Sequence, residues 1–560
     1  MAEDNAISIN EKASHSTPAS EARPSQTNSE DTSEAPTTST VPTSVEVLPE
    51  ESTTDSAPPY SIYNHRQKLS IIIGAALGAF FASWSSHIYL PALSNVAEDL
   101  HTTIGKANLS VTTYMIFQGI SPIFIGGFAD ALGRRPIYLI CFTLYIVVNI
   151  NLASSDSYAT LLALRSLQSI TISSAQALSQ GVIADITTPA ERGQYAAWTT
   201  LPAVLGPSLG PVVGGSVTQY WSWRHIFYVL AIAGGLELLL IILYLPETCR
   251  KVVNDGSTLP PKWNRTALQL WRQRQNGQQQ PHNDVESATA QREEPQPKAK
   301  GAKVAWERLS VALSLFKEKE LLPLFIYGGL HFAGLFAVGT AAPTLLHKKY
   351  GYNSEKIGLL YLPLAGGSVL SGLLTGKLLG WNYKRHCRKH GIDARRDTNV
   401  DLSDFPIERA RIEVILPTFV LSLTSIAGWG WAIEQQVHIS VVVILIFLLG
   451  LGFSGVSQVF NALIADLRPN QAASASAANN IIKFGLGAAF SAFIEPLIEA
   501  VNAGKAFSIV AIFYVVVSPC LIIVLRKGMK WRKEATEKER RREQERSQPV
   551  EVESQRSRLS

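Results

Sequence analysis

Three ionisable residues interrupt long apolar stretches of this sequence, and they are the side chains most suited to chemistry. Arg165, Lys483 and Glu237 each lie inside a run of mostly apolar residues. A charge inside a membrane is costly, so such a residue faces a cavity or a partner and marks a ligand or ion pathway. Arginine and lysine are suited to holding an anion, whereas a buried carboxyl group is suited to exchanging a proton.

Polar residues accompany both cations at helical spacing. Gln168 follows Arg165 by three positions and Asn479 precedes Lys483 by four, so each pair shares one face of a helix. We predict that these four residues line a substrate cavity whose two cations favour an anionic ligand such as a carboxylate. The other polar residues predicted to line the cavity are His87, Gln118, Gln458 and Asn461. The alternative for each residue is an interhelical hydrogen bond with no ligand.

Two residues are candidates for proton exchange. Burial favours the neutral form of a carboxyl group, which makes Glu237 one candidate. The imidazole of His87 titrates near neutral pH, which makes it the other. Each also has a purely structural alternative, as a hydrogen-bonded side chain in a helical core, and the sequence leaves both candidates open.

Other kinds of chemistry have little support. The sequence contains no Ser-His-acid arrangement, no phosphate-binding loop and no cluster of metal ligands, and its four cysteines are scattered. We therefore expect no enzymatic activity, no metal and no cofactor, and the missing Walker motif makes a proton gradient the expected energy source. The formal net charge is +5, with the basic residues crowded into a few loops, which argues against nucleic-acid binding.

Twelve apolar segments position these residues, since a membrane helix needs about 20 mostly apolar residues. The segments are 70–92, 108–128, 136–154, 158–183, 193–217, 225–245, 322–344, 355–379, 412–433, 438–462, 473–495 and 506–526. Their arrangement predicts an all-α membrane protein, with twelve transmembrane helices in two pseudo-symmetric six-helix bundles.

Polar segments divide the chain into five parts. We predict a disordered cytoplasmic tail over 1–68, an N-terminal six-helix bundle over 69–245, a cytoplasmic linker over 246–320, a C-terminal six-helix bundle over 321–526 and a cytoplasmic tail over 527–560. Lysine and arginine are concentrated on one side of the spans, which predicts that both termini are cytoplasmic. We expect a monomer in the plasma membrane, with the vacuolar membrane as the alternative location.

The fifth predicted span carries an unusual run of glycine and proline. Its residues are Gly206, Gly210, Pro211, Gly214 and Gly215. Glycines at fourfold spacing form the small-xxx-small pattern of closely packed membrane helices, where neighbouring helices compensate for the weakened backbone. The run therefore predicts a bent helix pressed against a neighbour.

A second motif lies in the loop after the second predicted span. It comprises Gly126, Asp130, Gly133, Arg134 and Arg135, in the order G-x-x-x-D-x-x-G-R-R. We predict that these residues and Asp185, at the end of the fourth span, form a charged clasp at the cytoplasmic face. The alternative is that the arginines only enforce topology. The second half repeats the pattern incompletely, with Gly376-x-x-x-Gly380 and with Asp466 after the tenth span.

With these motifs, residues 60–530 resemble the major facilitator superfamily. The resemblance is greatest to fungal twelve-span drug:proton antiporters, the branch that contains quinidine-type resistance pumps and citrate exporters. Arg165-x-x-Gln168 and the glycine run of the fifth span match antiporter motifs of that branch. Leu245-Pro246-Glu247-Thr248 and the segment from Asp404 to Glu408 are similar to branch-specific segments. Gly380, Lys483 and His87 depart from the residues expected at their positions.

The resemblance implies a proton-coupled efflux transporter that exports a small organic molecule by alternating access. The expected substrate is an organic acid, a toxin or secondary metabolite, or a drug. It also implies that the bend of the fifth span limits proton leak. A proton-coupled importer of the same fold and a nutrient sensor that does not transport are the alternatives.

Overall fold

A computed structural model describes residues 61–258, 260–276, 301–390, 405–468 and 471–534, together with the single residues 537 and 541. All regular secondary structure in this part of the chain is helical. Most of the predicted tail over 1–68, the middle of the predicted linker and most of the predicted tail over 527–560 lie outside the described residues.

The first half is a bundle of long helices. Its helices are α1 (His65–His87), α2 (Leu93–Asp99), α3 (Ile104–Leu132), α4 (Arg134–Ala153), α5 (Tyr158–Ile172), α6 (Ser174–Ile186), α7 (Pro189–Tyr220) and α8 (Trp223–Tyr244). Polar side chains begin several of them, since Thr103, Ser157 and Ser222 each accept a backbone N–H bond at a helix start. Gly133, with φ of 107°, makes the turn between α3 and α4, a conformation that favours glycine.

The segment between the halves contains short helices where the sequence predicts only a polar linker. They are α9 (Arg250–Val253), α10 (Ala267–Asn276) and α11 (Gly301–Ser314). The second half follows with α12 (Leu322–Tyr350), α13 (Ser354–Leu359), α14 (Leu362–Lys389), α15 (Ile407–Glu434), α16 (Ile439–Leu467), α17 (Ala472–Val501) and α18 (Ala503–Val517). After a turn at Ser518, helical structure continues over 519–534.

Within the described residues, ten helical stretches are long and apolar enough to cross a membrane. They coincide with ten of the twelve predicted spans. The predicted span 158–183 is divided into α5 and α6, of 15 and 13 residues, by a break at Ser173. The predicted span 193–217 lies within α7, the helix that carries the run of glycine and proline.

The glycines of α7 allow its backbone to approach α1 closely. A Cβ atom on Gly206 would lie 2.6 Å from the Cβ of Ser83, and one on Gly210 would lie 2.9 Å from the backbone nitrogen of Ile88. A Cβ on Gly214 would collide with the Ile88 carbonyl oxygen. Larger side chains would separate the helices, as the fourfold spacing predicts.

The largest contacts between the two halves are made by two helix pairs. Pro211 and Gly215 of α7 pack against α13, where the backbone of Ser354 and of Gly358 is close. Midway along the bundle, α3 packs on α17, and a Cβ on Gly119 would lie 3.2 Å from the carbonyl oxygen of Asn480. We call the end of the bundle that carries Asp130, Asp185 and the linker the linker end, and the end that carries the α7–α13 contact the opposite end.

Candidate functional site: a membrane pocket and two charged clusters

Arg165 lies on α5, enclosed by the first half. Its side chain is fully buried, and its guanidinium group lies over the rings of Tyr89 at 4.6 Å and Tyr114 at 4.3 Å from the ring centroids. Nη1 donates to Oε1 of Gln168 at 2.5 Å, and Nε2 of Gln168 donates to Oδ1 of Asn149 at 2.6 Å. The cation is therefore held by a polar chain between α4 and α5 and by two aromatic faces.

Lys483 lies on α17 in a different environment. Its ammonium group lies 4.3 Å from the ring centroid of Phe332 and 5.6 Å from that of Phe484. The side chain is half-buried, and Asn479, four positions earlier, is buried near Gly328 of α12. Lys483 thus lies against the aromatic face of α12 and α17, on the half opposite to Arg165.

His87 lies at the end of α1, on the boundary between the halves. Its Nδ1 donates to the carbonyl oxygen of Ser83 at 2.9 Å and is 2.6 Å from Oγ of Ser86. Across the boundary, its ring centroid is 5.1 Å from that of Phe336 on α12. Because Nδ1 is held, Nε2 is the ring nitrogen available to a ligand.

A small pocket opens beside His87, between the two halves. The first half contributes His87, Leu90 and Pro207. The second half contributes Leu335, Phe336, Val338, Gly339, Ala342, Leu346, Leu360, Tyr361, Leu364, Ile446 and Leu449. The hydroxyl group of Tyr361 donates to the carbonyl oxygen of Gly339 at 2.6 Å. The pocket is an apolar enclosure whose single ionisable group with an available polar atom is His87.

The other predicted cavity residues are dispersed. Gln118 on α3 is buried, and its Oε1 has no hydrogen-bond partner within the described part of the chain. On α16, Gln458 is half-buried near Gly372, and Asn461 is exposed. Of the eight residues predicted to line a cavity, His87 lines this pocket, whereas Arg165 and Gln168 form a separate buried cluster.

Glu237 lies on α8, facing α4 rather than the pocket. The residue is buried, and Oε1 has no hydrogen-bond partner among the residues that the structure describes. One turn earlier, a Cβ on Gly234 would lie 3.2 Å from the ring of Tyr145 on α4. The two candidates for proton exchange are therefore in different places, Glu237 between α4 and α8 and His87 at the boundary of the halves.

The linker end of the first half holds the residues of the predicted clasp. Arg134 pairs with Asp130 at 2.8 Å and with Asp185 at 3.0 Å. Arg135 is buried and donates to the backbone carbonyls of Leu245 and Ile242, each at 3.0 Å. The first arginine thus joins the ends of α3, α4 and α6, while the second joins α4 to the end of α8.

Glu247 is a central residue of this end that the sequence analysis did not single out as a site. Its carboxylate accepts N–H bonds from Arg134 at 2.8 Å, Arg135 at 3.2 Å, Thr248 at 3.0 Å and Cys249 at 2.9 Å. Burial raises the pKa of Glu247 above its usual range, although the four N–H bonds oppose this. An anion at the start of α4 also suits the helix dipole. Leu245-Pro246-Glu247-Thr248 was the sequence signal for this contact.

The linker helix α11 covers the same surface. Ala305 packs on Gly127, where a Cβ would lie 2.7 Å from the Cα of Ala305, and Arg308 pairs with Asp130. Because α11 leads into α12 through residues 315–321, a segment attached to the second half contacts the clasp of the first half.

The second half has its own charged cluster at the linker end. Arg411 of α15 pairs with Asp466 of α16 at 2.9 Å. Arg468 pairs with Glu320 at 2.8 Å and with Glu318 at 3.4 Å. Burial raises the pKa of Glu320 to about 7, despite the neighbouring Arg468.

His331 on α12 is a further residue that sequence reasoning missed. It is buried, and its ring is stacked on Phe453 with 5.4 Å between centroids and 11° between planes. Neither ring nitrogen has a hydrogen-bond partner within the described ranges. The apolar residues around it in the sequence gave no polar stripe that would have marked it.

Comparison with known proteins identifies the class that this fold and pocket define. The family described as Major Facilitator Superfamily matches residues 75–492. The chain is 40% identical to MFS-type transporter phiD of a fungal species, over 88% of this chain and 73% of that protein. It is 36% identical to MFS-type transporter tstD of Talaromyces stipitatus, over 88% of each. It is 33% identical to Citrate exporter 1 of Aspergillus niger, over 86% of this chain and 90% of that protein.

A solved structure agrees on the fold. The xylose transporter XylE from E. coli, in a partially occluded inward open conformation, is similar with a TM-score of 0.56 and 13% identity, covering 82% of this chain and 98% of that one. This chain belongs to the major facilitator superfamily. It is a multi-pass membrane transporter rather than an enzyme, and its relatives are fungal transporters of the same class.

Proposed function

We propose that this transporter is a proton-coupled antiporter that exports a small organic molecule from the cytoplasm across the plasma membrane. The pocket between the halves is the observation that carries the proposal. His87, Leu90 and Pro207 form one wall and α12, α14 and α16 form the other, so movement of one half against the other opens and closes it. Differential affinity of the two facing states for substrate and proton then drives net movement.

The distribution of lysine and arginine orients the pocket in the membrane. It puts the linker end in the cytoplasm, so the α7–α13 contact closes the outer side. There, the hydroxyl group of Tyr220 donates to Oε2 of Glu355 at 3.1 Å, and Oγ of Ser354 is 3.3 Å from Oδ1 of Asn95. A pocket closed on the outer side is one of the two facing states of alternating access, in which substrate exchanges with the cytoplasm. One relative is named a citrate exporter, which supports export as the direction.

His87 is the residue that we propose for proton exchange. It is in the pocket wall, so a proton on Nε2 puts a charge against the apolar surface of the pocket. A charge there disfavours the apolar part of a substrate, so proton and substrate bind in competition, as antiport requires. Glu237, between α4 and α8, does not line the pocket and is the alternative carrier.

Proteoliposomes with an imposed pH gradient test this function. Substrate-driven proton movement would be followed with an entrapped pH-sensitive dye, across organic acids, fungal metabolites and antifungal drugs. We expect counterflow of substrate and protons in the wild-type chain, loss of coupling in His87→Gln and no effect of His225→Gln, an exposed histidine at the opposite end. Movement of substrate and protons in the same direction would support an importer instead. A tagged chain at the vacuole rather than the cell surface would overturn the proposed location.

A further inference from the structure

We propose that the substrate class is an amphipathic organic anion with one carboxylate and an apolar body, and not a polyanion such as citrate. The proposal rests on the proposed function and deepens it. Its basis is the juxtaposition of one available cation, Lys483, with a strip of aromatic rings that leads to the apolar pocket.

Of the two predicted cavity cations, Lys483 and Arg165, one is accessible to a ligand anion. Lys483 is half-buried against Phe332 and Phe484, and no carboxylate within the described residues lies at ion-pair distance from it. Arg165 is fully buried between Tyr89 and Tyr114 and donates to Gln168. One cation is therefore placed to receive a ligand anion, whereas the other is enclosed by the first half.

Two phenylalanine rings of α12 lie between Lys483 and the pocket. The ammonium group of Lys483 is 4.3 Å from the ring centroid of Phe332, and Phe332 is 4.7 Å from Phe336 by ring centroids. Phe336 is in turn 5.1 Å from His87 and lines the pocket. The two phenylalanines are four positions apart on α12 and share one apolar face of that helix, where both rings are buried in this conformation.

The pocket beside His87 is lined almost entirely by apolar side chains. Its walls are mainly leucine, isoleucine, valine and phenylalanine, the kind of lining that receives the apolar part of a small organic ligand. Tyr361 is already bonded to Gly339, so His87 is the one polar contact that the walls offer. An apolar body suits this surface, on which Nε2 of His87 is the one side-chain acceptor left available.

Charge balance then separates two kinds of acid. A single carboxylate that meets Lys483 exchanges hydration for an ion pair next to aromatic rings. A tricarboxylate brings two further charges to an apolar wall, where each loses hydration without a partner. The arrangement therefore favours substrates that carry one negative charge and a large apolar area.

Binding to the purified full-length chain in nanodiscs tests the proposal without requiring transport. The probes are 2-naphthylacetate, its neutral amide 2-naphthylacetamide, and citrate, measured by isothermal titration with empty nanodiscs as the background. We expect the naphthyl acid to bind at least tenfold more tightly than either the amide or citrate. Binding of citrate equal to or tighter than that of the naphthyl acid would overturn the proposal, as would equal binding of the acid and the amide.

Variants assign the anion to Lys483. We expect Lys483→Met to remove the preference for acid over amide without weakening the amide, and Lys483→Arg to retain it. Lys505→Met, an exposed lysine at the opposite end, is the matched control. An unchanged preference in Lys483→Met would place the anion elsewhere and overturn the assignment. If Lys483→Met does not yield folded protein, the probe series on the wild-type chain still tests the substrate class. Loss of the preference for acid over amide in Lys483→Arg would then contradict the role of Lys483.

Failure of this proposal and failure of the proposed function are distinguishable. A chain that binds the naphthyl acid with the expected preference but moves no protons against any substrate contradicts proton-coupled export and leaves the substrate class standing. A chain that exports citrate against protons but binds the naphthyl acid weakly supports proton-coupled export and contradicts the proposed substrate class.

Discussion

In each half, the chain at the end of the last span contacts the start of that half's third span, but the two halves use side chains of opposite charge. In the first half, the carboxylate of Glu247 accepts backbone N–H bonds at the start of α4. In the second half, Nη2 of Arg532 donates to the carbonyl oxygen of Phe405 at 2.7 Å, and Nε lies 3.3 Å from Oε1 of Glu408. The repeated fold thus retains the position of the contact and not its chemistry.

The ion pairs beside these contacts extend the comparison. Arg134–Asp185 in the first half and Arg411–Asp466 in the second each join the third span to the end of the fourth, at 3.0 Å and 2.9 Å. The first half adds Asp130 to its pair, whereas the second has Gly380 at the corresponding place. The first half therefore carries the more connected clasp, and α11 binds on that side.

The largest difference should come from the two arginines. Arg134→Ala removes an ion-pair partner from Asp130 and from Asp185, so we expect a loss of transport of about 100-fold, within the usual range of coupling free energies. Arg411→Ala removes a partner from Asp466 alone and should cost about fivefold. Initial rates in vesicles, normalised to the amount of inserted protein, measure both. Equal losses in the two variants would contradict a larger role for the clasp of the first half.

Glu247 and Arg532 should differ in their effect on stability. Glu247→Ala leaves several buried N–H groups without their acceptor and should lower the unfolding free energy by about 3 kcal/mol. Arg532→Ala removes one carbonyl bond and one ion pair, for which about 2 kcal/mol is expected. Thermal unfolding in detergent reports both, with the exposed Glu499→Ala as the control. A larger effect for Arg532 would reverse the order.

Glu320 should make the stability of the second half depend on pH. The pKa of Glu320 is raised by burial from its ordinary value of 4.5 to about 7. The folded state therefore holds this proton more tightly, so its contribution is complete below pH 4.5 and is lost as pH rises through 7. We expect about 3 kcal/mol to be lost across that window. Glu320→Gln should flatten the profile of melting temperature from pH 5 to 8, whereas Glu318→Gln should leave the slope in place.

The smallest effect should come from restoring an acid to the second half. Among the described residues, no atom outside the adjacent helix backbone lies within 4 Å of a Cβ built on Gly380, so a side chain is accommodated. Gly380→Asp puts a carboxylate one turn before Lys384, as Asp130 is one turn before Arg134. We expect a gain of about 0.3 kcal/mol from this pair, and a transport rate within a factor of two of wild type. A large loss of transport would mean that the second half depends on having no acid there.

The membrane helices were the most predictable part of the molecule, because their signal is composition over about 20 residues. The division at Ser173 was not predicted, although the pair Ser173-Ser174 in a stretch rich in hydroxyl groups is a sequence feature at which helices kink. The close approach of α7 to α1 was readable from Gly206, Gly210 and Gly214, because small residues have few other uses at that spacing.

Contacts between distant parts of the chain were the least predictable. The role of Glu247 depends on how the chain returns to α4, and that of Ala305 depends on a helix inside a polar linker. Arg165 and Lys483 share the same sequence signal, a cation in an apolar run, but only the contacts of their neighbours separate an enclosed cation from an available one. The predicted roles of the remaining site residues stay predictions.

The docked position of α11 has a mechanical consequence for the rocking of the halves. Residues 315–321 are all that joins α11, seated on Gly127 and Asp130, to the start of α12. Seven residues span at most about 25 Å when fully extended. While α11 stays seated, this short tether sets an upper limit on how far the start of α12 can move from the first half, and a chain lengthened at this junction has a wider permitted swing.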